Sequence, residues 1–169
     1  CPIGSESLCC KVCFMGPCRL VGKTTQGVCG ATRDTIAARN FARGVAAGAS
    51  AHSDHGRDLA FTLMAVAKGE TQGFRIRDEQ KLYAVAEMLG IKTDGRSVND
   101  IAYDVGQEAL DNFGRQRGQV TYVSRATPRR QKLWEELELT PRGVDREIVE
   151  IMHRTHMGVD QDAEHILDQ

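Results

Sequence analysis

The six cysteines of this 169-residue chain fall at positions 1, 9, 10, 13, 18 and 29, and residues 30–169 hold none. A head so short and so rich in thiols and glycine cannot bury a core of its own. Chains below roughly 40 residues are ordered by disulfides, by metals or by a larger neighbour. Disulfides suit small extracellular domains, whereas the chain behind this head is long enough, at 41% hydrophobic overall, to pack without covalent staples. A redox pair at Cys10 and Cys13 belongs on a βαβ background, and only Val120–Val123 resembles a strand. Zinc and iron–sulfur ligation remain.

Spacing separates these two. Cys10-x2-Cys13-x4-Cys18-x10-Cys29 offers four thiolates within residues 10–29. An iron–sulfur cube is wider than a single ion, so its loop must be generous. Gly16, Gly22, Gly27 and Gly30 supply that freedom, and Gly16-Pro17 can turn the chain sharply. The usual zinc pattern, two close pairs far apart, is missing. The spacing favours a [4Fe–4S] cluster on Cys10, Cys13, Cys18 and Cys29, with a structural zinc module as the competing reading. Cys9 adjoins Cys10, and neighbours on an extended chain point to opposite sides. Cys9 therefore faces elsewhere, and Cys1 can return to it around Gly4. Two thiolates are half of what a cube needs, and a twofold homodimer would supply the rest. The alternatives for this pair are a Cys1–Cys9 disulfide and a ferric site.

Behind the head the pattern is helical. Thr32 reads as an N-cap for a helix running to about Lys68, where Gly69 stops it, either unbroken or broken near Gly56. Within it, Gly44–Ala51 is nearly all Gly, Ala and Ser, which lets a bulky group approach closely. Further helices fit Asp78–Leu89, Ser97–Phe113, a segment after Thr127-Pro128 with Leu133, Trp134 and Leu137 as its apolar face, and one after Pro141 with Val144, Ile148, Val149 and Met152. The expected class is all-α: residues 1–30 form a cluster-binding head and residues 31–169 a helical bundle domain. Only 5% of the chain is aromatic, which disfavours an all-β fold, and the net charge of −1 gives no support for a nucleic-acid or polybasic membrane binder. No apolar run approaches the roughly 18–20 residues of a membrane helix. The first residue is Cys rather than Met, and Asp162–Gln169 reads as a helix barely begun, so the expectation is a fragment of a longer protein. A mature lipoprotein also begins with Cys, but it would account for Cys1 alone.

Several stretches together resemble the N-terminal helical domain of the nickel-containing anaerobic carbon monoxide dehydrogenases. They are Cys9-Cys10-Lys11-Val12-Cys13-Phe14-Met15-Gly16-Pro17-Cys18-Arg19-Leu20, Gly27-Val28-Cys29-Gly30-Ala31, Asp34–Asn40, Ala51-His52-Ser53-Asp54-His55-Gly56-Arg57 and Met152–Asp160. The hybrid-cluster (hydroxylamine reductase) proteins share this architecture and match less well, lacking the paired head followed by His52-Ser53-Asp54-His55. The resemblance implies an oxidoreductase interconverting CO and CO2. Cys10, Cys13, Cys18 and Cys29 match the ligands of an internal [4Fe–4S] cluster, and Cys1 and Cys9 match half of a cluster shared by a homodimer. It implies that the nickel–iron–sulfur cluster sits on later Rossmann-like domains, since no cysteine follows Cys29. It further implies a ferredoxin-like electron acceptor, acetyl-CoA synthase subunits as further partners, and an anaerobic cytoplasm, with membrane association through partners as a variant. A stand-alone iron–sulfur electron carrier is the alternative should the chain end at Gln169.

His52 and His55 lie three apart and share one helix face. On spacing alone they read as ordinary helix or surface histidines. The resemblance implies that His52 transfers protons near the active cluster and that His55 is the next proton relay, while Asp58 and Phe61 stand where some members continue the histidines. His153 and His156, before Gly158, read as helix-end cations. Arg19 and Lys23, in the cysteine loop, are candidates for offsetting cluster charge.

Overall fold

The computed structural model describes residues 1–169, in two compact units. One comprises Cys1–Ser50 with Glu147–Gln169, and the other Ala51–Arg146. The first unit joins the head and residues 31–50 to Glu147–Gln169, whose Ile151 and Ile166 pack on Ala38 and Ala42. The elements in order are α1 (Pro2–Ser5), β1 (Cys9–Cys10), β2 (Cys18–Arg19), α2 (Arg33–Lys68), α3 (Glu79–Met88), α4 (Val98–Gly114), a 3-10 turn (Thr121–Arg125), α5 (Pro128–Glu136), α6 (Val144–Arg154) and α7 (Ala163–Leu167). The class is all-α, and the one sheet is the two-residue antiparallel pairing of β1 with β2.

Most helix ends sit where local chemistry places them. Thr35 N–H donates to Thr32 Oγ1 at 3.3 Å at the start of α2. That helix runs 36 residues without a break and ends before Gly69, whose φ of +72° suits glycine. Asp78 Oδ1 accepts from Lys81 N–H at 2.9 Å to cap α3. Ser97 Oγ accepts from Asp100 N–H at 3.1 Å to cap α4. Side-chain caps of this kind contribute about 1 kcal/mol each.

In the unit of the chain ends, α2 buries Thr35, Ile36, Ala38, Arg39, Ala42 and Ala46. Ile36 packs with Cys10, Leu20 and Ala31 beneath the head, and Ala38 and Ala42 pack with Ile166 of α7. Long-range bonds tie the segments: Thr35 Oγ1 donates to the Gln161 carbonyl at 2.7 Å, and Arg43 Nη1 donates to Thr155 Oγ1 at 3.0 Å. A Cβ built on Gly44 or Gly48 would meet nothing within 4 Å, so nothing in this chain packs closely on those two glycines, whereas Ala46 between them is buried.

In the second unit, α3 and α4 pack Leu82, Ala86, Ile101, Ala102 and Val105 into one cluster, with Leu63 and Ala67 of α2 against it. Gly106 lets α4 lie close to α2, since a Cβ there would sit 2.5 Å from Met64 Cγ and 3.0 Å from the Ala60 carbonyl. Two expectations fail in this unit. Val120–Val123 is no strand: it enters the 3-10 turn, where Val123 N–H returns to the Val120 carbonyl at 3.2 Å and Asn112 Oδ1 takes the Thr121 N–H at 2.6 Å. Branched residues favour strands only where a ladder partner exists, and here a single bridge, Gln119 to Arg142, is all that forms. Of the apolar residues of α5 and its C-cap, Trp134 is half-buried, but Leu133 and Leu137 are both more than half exposed.

Candidate metal centre

The β1–β2 pairing builds the site. Cys10 stands opposite Cys18 and Cys9 opposite Arg19, and Leu20 N–H extends the pairing to the Leu8 carbonyl at 2.8 Å. Because strand side chains alternate, Cys10 turns in, 8% exposed, while Cys9 turns to the other face. Between the strands the chain turns at Gly16, whose N–H reaches the Cys13 carbonyl at 3.2 Å, and the Gly16–Pro17 peptide is cis. After β2, a loop closed by Gly27 N–H on the Ala31 carbonyl at 2.8 Å carries Cys29 back beside Cys18. Gly27 eases this fit, because a Cβ there would lie 3.3 Å from Cys18 Cβ and push on it by a few tenths of an ångström.

Cys10, Cys13, Cys18 and Cys29 together line a cavity of ≈ 120 Å³. Val12, Val28, Ala31 and Met157 supply its apolar walls, and Arg39 supplies its one charged side chain. All six cysteines are free thiols, so Cys1 and Cys9 form no disulfide here. No three Cys, His, Asp or Glu side chains converge closely enough to grip one ion. A zinc site gathers its sulfurs at about 2.3 Å from a single point. Four thiols ringing a hollow suit a multi-atom body instead. A second observation fits such a body: Arg39 Nε is buried and has no hydrogen-bond partner. A buried donor without an acceptor costs about 1–3 kcal/mol, which an acceptor in the cavity would remove.

Donors reach two of the four cavity sulfurs. Val28 N–H points to Cys18 Sγ at 3.5 Å, and Arg39 Nη1 to Cys29 Sγ at 3.8 Å. Gln161 Nε2 holds the Cys29 carbonyl at 3.0 Å. Burial pushes the Cys29 thiol up, but hydrogen bonds from the Ala31 amide, Arg39 and Gln161, with the Arg39 charge, outweigh it and hold the thiol below its ordinary value. That favours the thiolate, the form that ligates metal.

Cys1 and Cys9 lie outside this cavity. Ser5 N–H closes α1 onto the Cys1 carbonyl at 3.0 Å, and Leu8 N–H returns to the Ile3 carbonyl at 3.1 Å, so the chain doubles back between them. Cys1 is exposed and Cys9 half-buried. His52 and His55 belong to the second unit, on α2, and both are exposed. Ser53 between them is buried and accepts a hydrogen bond from Arg57, which also pairs with Asp145 and lies 4.7 Å from the Phe113 ring centre. His153 and His156 are exposed at the end of α6. Arg19 and Lys23 are exposed too. The charge at the cavity is Arg39, which sequence reading passed over. Its signal was a cation in register with Thr35, Ile36 and Ala42 on the buried side of α2.

Comparison with known proteins agrees with this geometry. The Prismane/CO dehydrogenase family profile matches residues 8–169. Carbon monoxide dehydrogenase 1 of Methanosarcina acetivorans is 49% identical over 99% of this chain and 27% of its own length. The carbon monoxide dehydrogenase/acetyl-CoA synthase subunit beta of Moorella thermoacetica is 35% identical over 96% of this chain and 25% of its own. The as-isolated, Ni-free carbon monoxide dehydrogenase from Thermococcus sp. AM4 superposes with a TM-score of 0.93 at 42% identity, over 99% of this chain and 27% of that one. The chain thus spans about a quarter of the relatives it matches. With the thiol ring, the helical frame and the profile in agreement, the chain belongs to the Prismane/CO dehydrogenase family.

Proposed function

We propose that this chain is the N-terminal domain of an anaerobic carbon monoxide dehydrogenase, an oxidoreductase interconverting CO and CO2 with water, two electrons and two protons. Cys10, Cys13, Cys18 and Cys29 hold a [4Fe–4S] cluster within the domain. Cys1 and Cys9 hold half of a second cluster, completed by the same residues of a second copy in a homodimer. The observation that carries this reading is the ring of four free thiols around a cavity lined also by Arg39, a buried residue with an unpartnered nitrogen. When bound, the cluster supplies a one-electron store. The chain's own part is to fix it through four thiolates, to donate hydrogen bonds to Cys18 and Cys29, and to wall it off with Val12, Val28, Ala31 and Met157. Ligands for a nickel–iron–sulfur centre belong to later chain, since no cysteine follows Cys29.

His52 accepts and returns a proton at its imidazole, and His55 passes it on. A cluster held by Cys1 and Cys9 of both copies would supply the exit for electrons, with a ferredoxin-like protein as their acceptor. The likeness to a subunit of a carbon monoxide dehydrogenase/acetyl-CoA synthase supports acetyl-CoA synthase as a further partner. An anaerobic cytoplasm suits thiolate ligands. No helix of the chain is long and apolar enough to cross a membrane.

Anaerobic iron analysis, EPR and sedimentation of the full-length protein test this. Wild type should be a dimer with broad absorption near about 400 nm that dithionite bleaches. Cys10→Ser should remove the internal cluster, and Cys9→Ser should remove only the shared one. A colourless, zinc-loaded protein, or a monomer with a full iron complement, would refute the assignment. His52→Ala should cut CO oxidation by about 10²-fold or more with both clusters retained.

A further inference from the structure

We infer that Arg39 is a positioning residue whose buried charge raises the reduction potential of the internal cluster through a direct bond to a ligand sulfur. The inference rests on the assignment of that cluster to Cys10, Cys13, Cys18 and Cys29. Arginine is almost never fully buried unless paired, yet Arg39 is 1% exposed on the packed side of α2. Its partners are not carboxylates. Nη1 donates to Cys29 Sγ at 3.8 Å, and Nη2 donates at 2.6 Å to the main-chain carbonyl of Asp160. The Asp160 carboxylate is turned to the Asp162 N–H, at 2.9 Å. Nε, also buried, has no partner within the chain. Two nitrogens of one guanidinium are thus held by protein groups, one of them the ligand sulfur, while the third is left over beside the cavity that Arg39 lines.

Such a placement stabilises the fold poorly and suits a negative body well. Burying an unpaired cation costs several kcal/mol. A cluster on four thiolates is negative, and one-electron reduction adds one further negative charge. A fixed cation in a low-dielectric wall favours the reduced form more than the oxidised one, and so raises the potential. Guanidinium stays charged at every working pH, so the effect is constant. Arg19 and Lys23 are solvated and screened, and contribute far less.

The test is an EPR-monitored dithionite titration of full-length, anaerobically purified protein, reading the signal that Cys10→Ser abolishes. Arg39→Gln keeps a donor and removes the charge. At the poise that half-reduces wild type, its reduced-to-oxidised ratio should fall about tenfold, equivalent to about 59 mV for one electron. Arg39→Lys keeps a charge but moves it off Cys29 Sγ, and should titrate between wild type and Arg39→Gln. Arg19→Gln should match wild type. Should Arg39→Gln fail to hold iron, the difference between Arg39→Lys and Arg19→Gln decides. Iron-replete Arg39 variants with the wild-type potential would overturn the inference, and so would loss of iron from both, which would make Arg39 a folding residue only. Wild type without an iron–sulfur signal would instead overturn the cluster assignment.

Discussion

The two units solve the problem of a core in opposite ways. In the second, Leu82, Ala86, Ile101, Ala102 and Val105 close on one another, and Gly106 removes even a methyl so that helices can touch. In the first, Cys10, Leu20, Ala31 and Ile36 pack together, and Cys10 and Ala31 also wall a hollow ringed by thiols and one buried cation. Side-chain packing completes the α3–α4 core, whereas under the proposed function the head's core is completed by the cluster its thiols hold. Order in the head should therefore depend on metal, and order in α3 and α4 should not.

Metal removal should break this contrast most visibly. Chelation or Cys18→Ser should raise amide exchange across residues 8–31 by orders of magnitude while α3 and α4 keep their protection. Equal loss in both would show that the two cores are not independent. The converse experiment is Ile101→Ala. Its side chain is fully buried, and truncation should cost about 2–5 kcal/mol in thermal or denaturant unfolding while leaving iron content per folded molecule unchanged. A smaller step is Ser97→Ala, which removes the α4 cap and should cost about 1 kcal/mol, again without touching the visible spectrum.

The smallest effect concerns pH. Asp162 caps α7, and the His165 amide foremost, then the Glu164 amide and the His165 charge, hold its carboxyl below the ordinary value against a smaller effect of burial. A carboxyl depressed by folding stabilises the fold fully above its unfolded pKa, and that contribution is lost as pH falls through the folded pKa. Asp162→Asn should lose that contribution at neutrality and converge on wild type below about pH 4, which flattens the acid limb of stability. A change at pH 3 as large as that at pH 7 would count against the linkage.

Local chemistry made much of this legible from sequence. Asp78, Ser97, Thr127-Pro128 and Gly69 mark helix ends through contacts three or four residues away, and they stand where expected. The four cavity cysteines were legible because a multi-thiolate site constrains loop length directly, and Cys9 because strand side chains alternate. What escaped depends on distant partners. Arg39 is bonded to Asp160, 121 residues away, and its register with Thr35, Ile36 and Ala42 marks the buried side of α2 without naming that partner. Leu133 and Leu137 had helical spacing, but spacing does not say whether a partner face exists. Val120–Val123 had strand composition without a strand to pair with.

The pairing of Cys10 with Cys18 also sets a rule for how the head can change in length. Because strand side chains alternate, one residue added or lost between Leu8 and Cys10 would swap the inward and outward cysteines. Between Val21 and Gln26, by contrast, every residue is exposed, and a Cβ at Gly22 would meet nothing within 4 Å. Related sequences should therefore keep the run from Leu8 to Leu20 at constant length and place their insertions and deletions at Val21–Gln26, where the chain can grow outward without moving a sulfur.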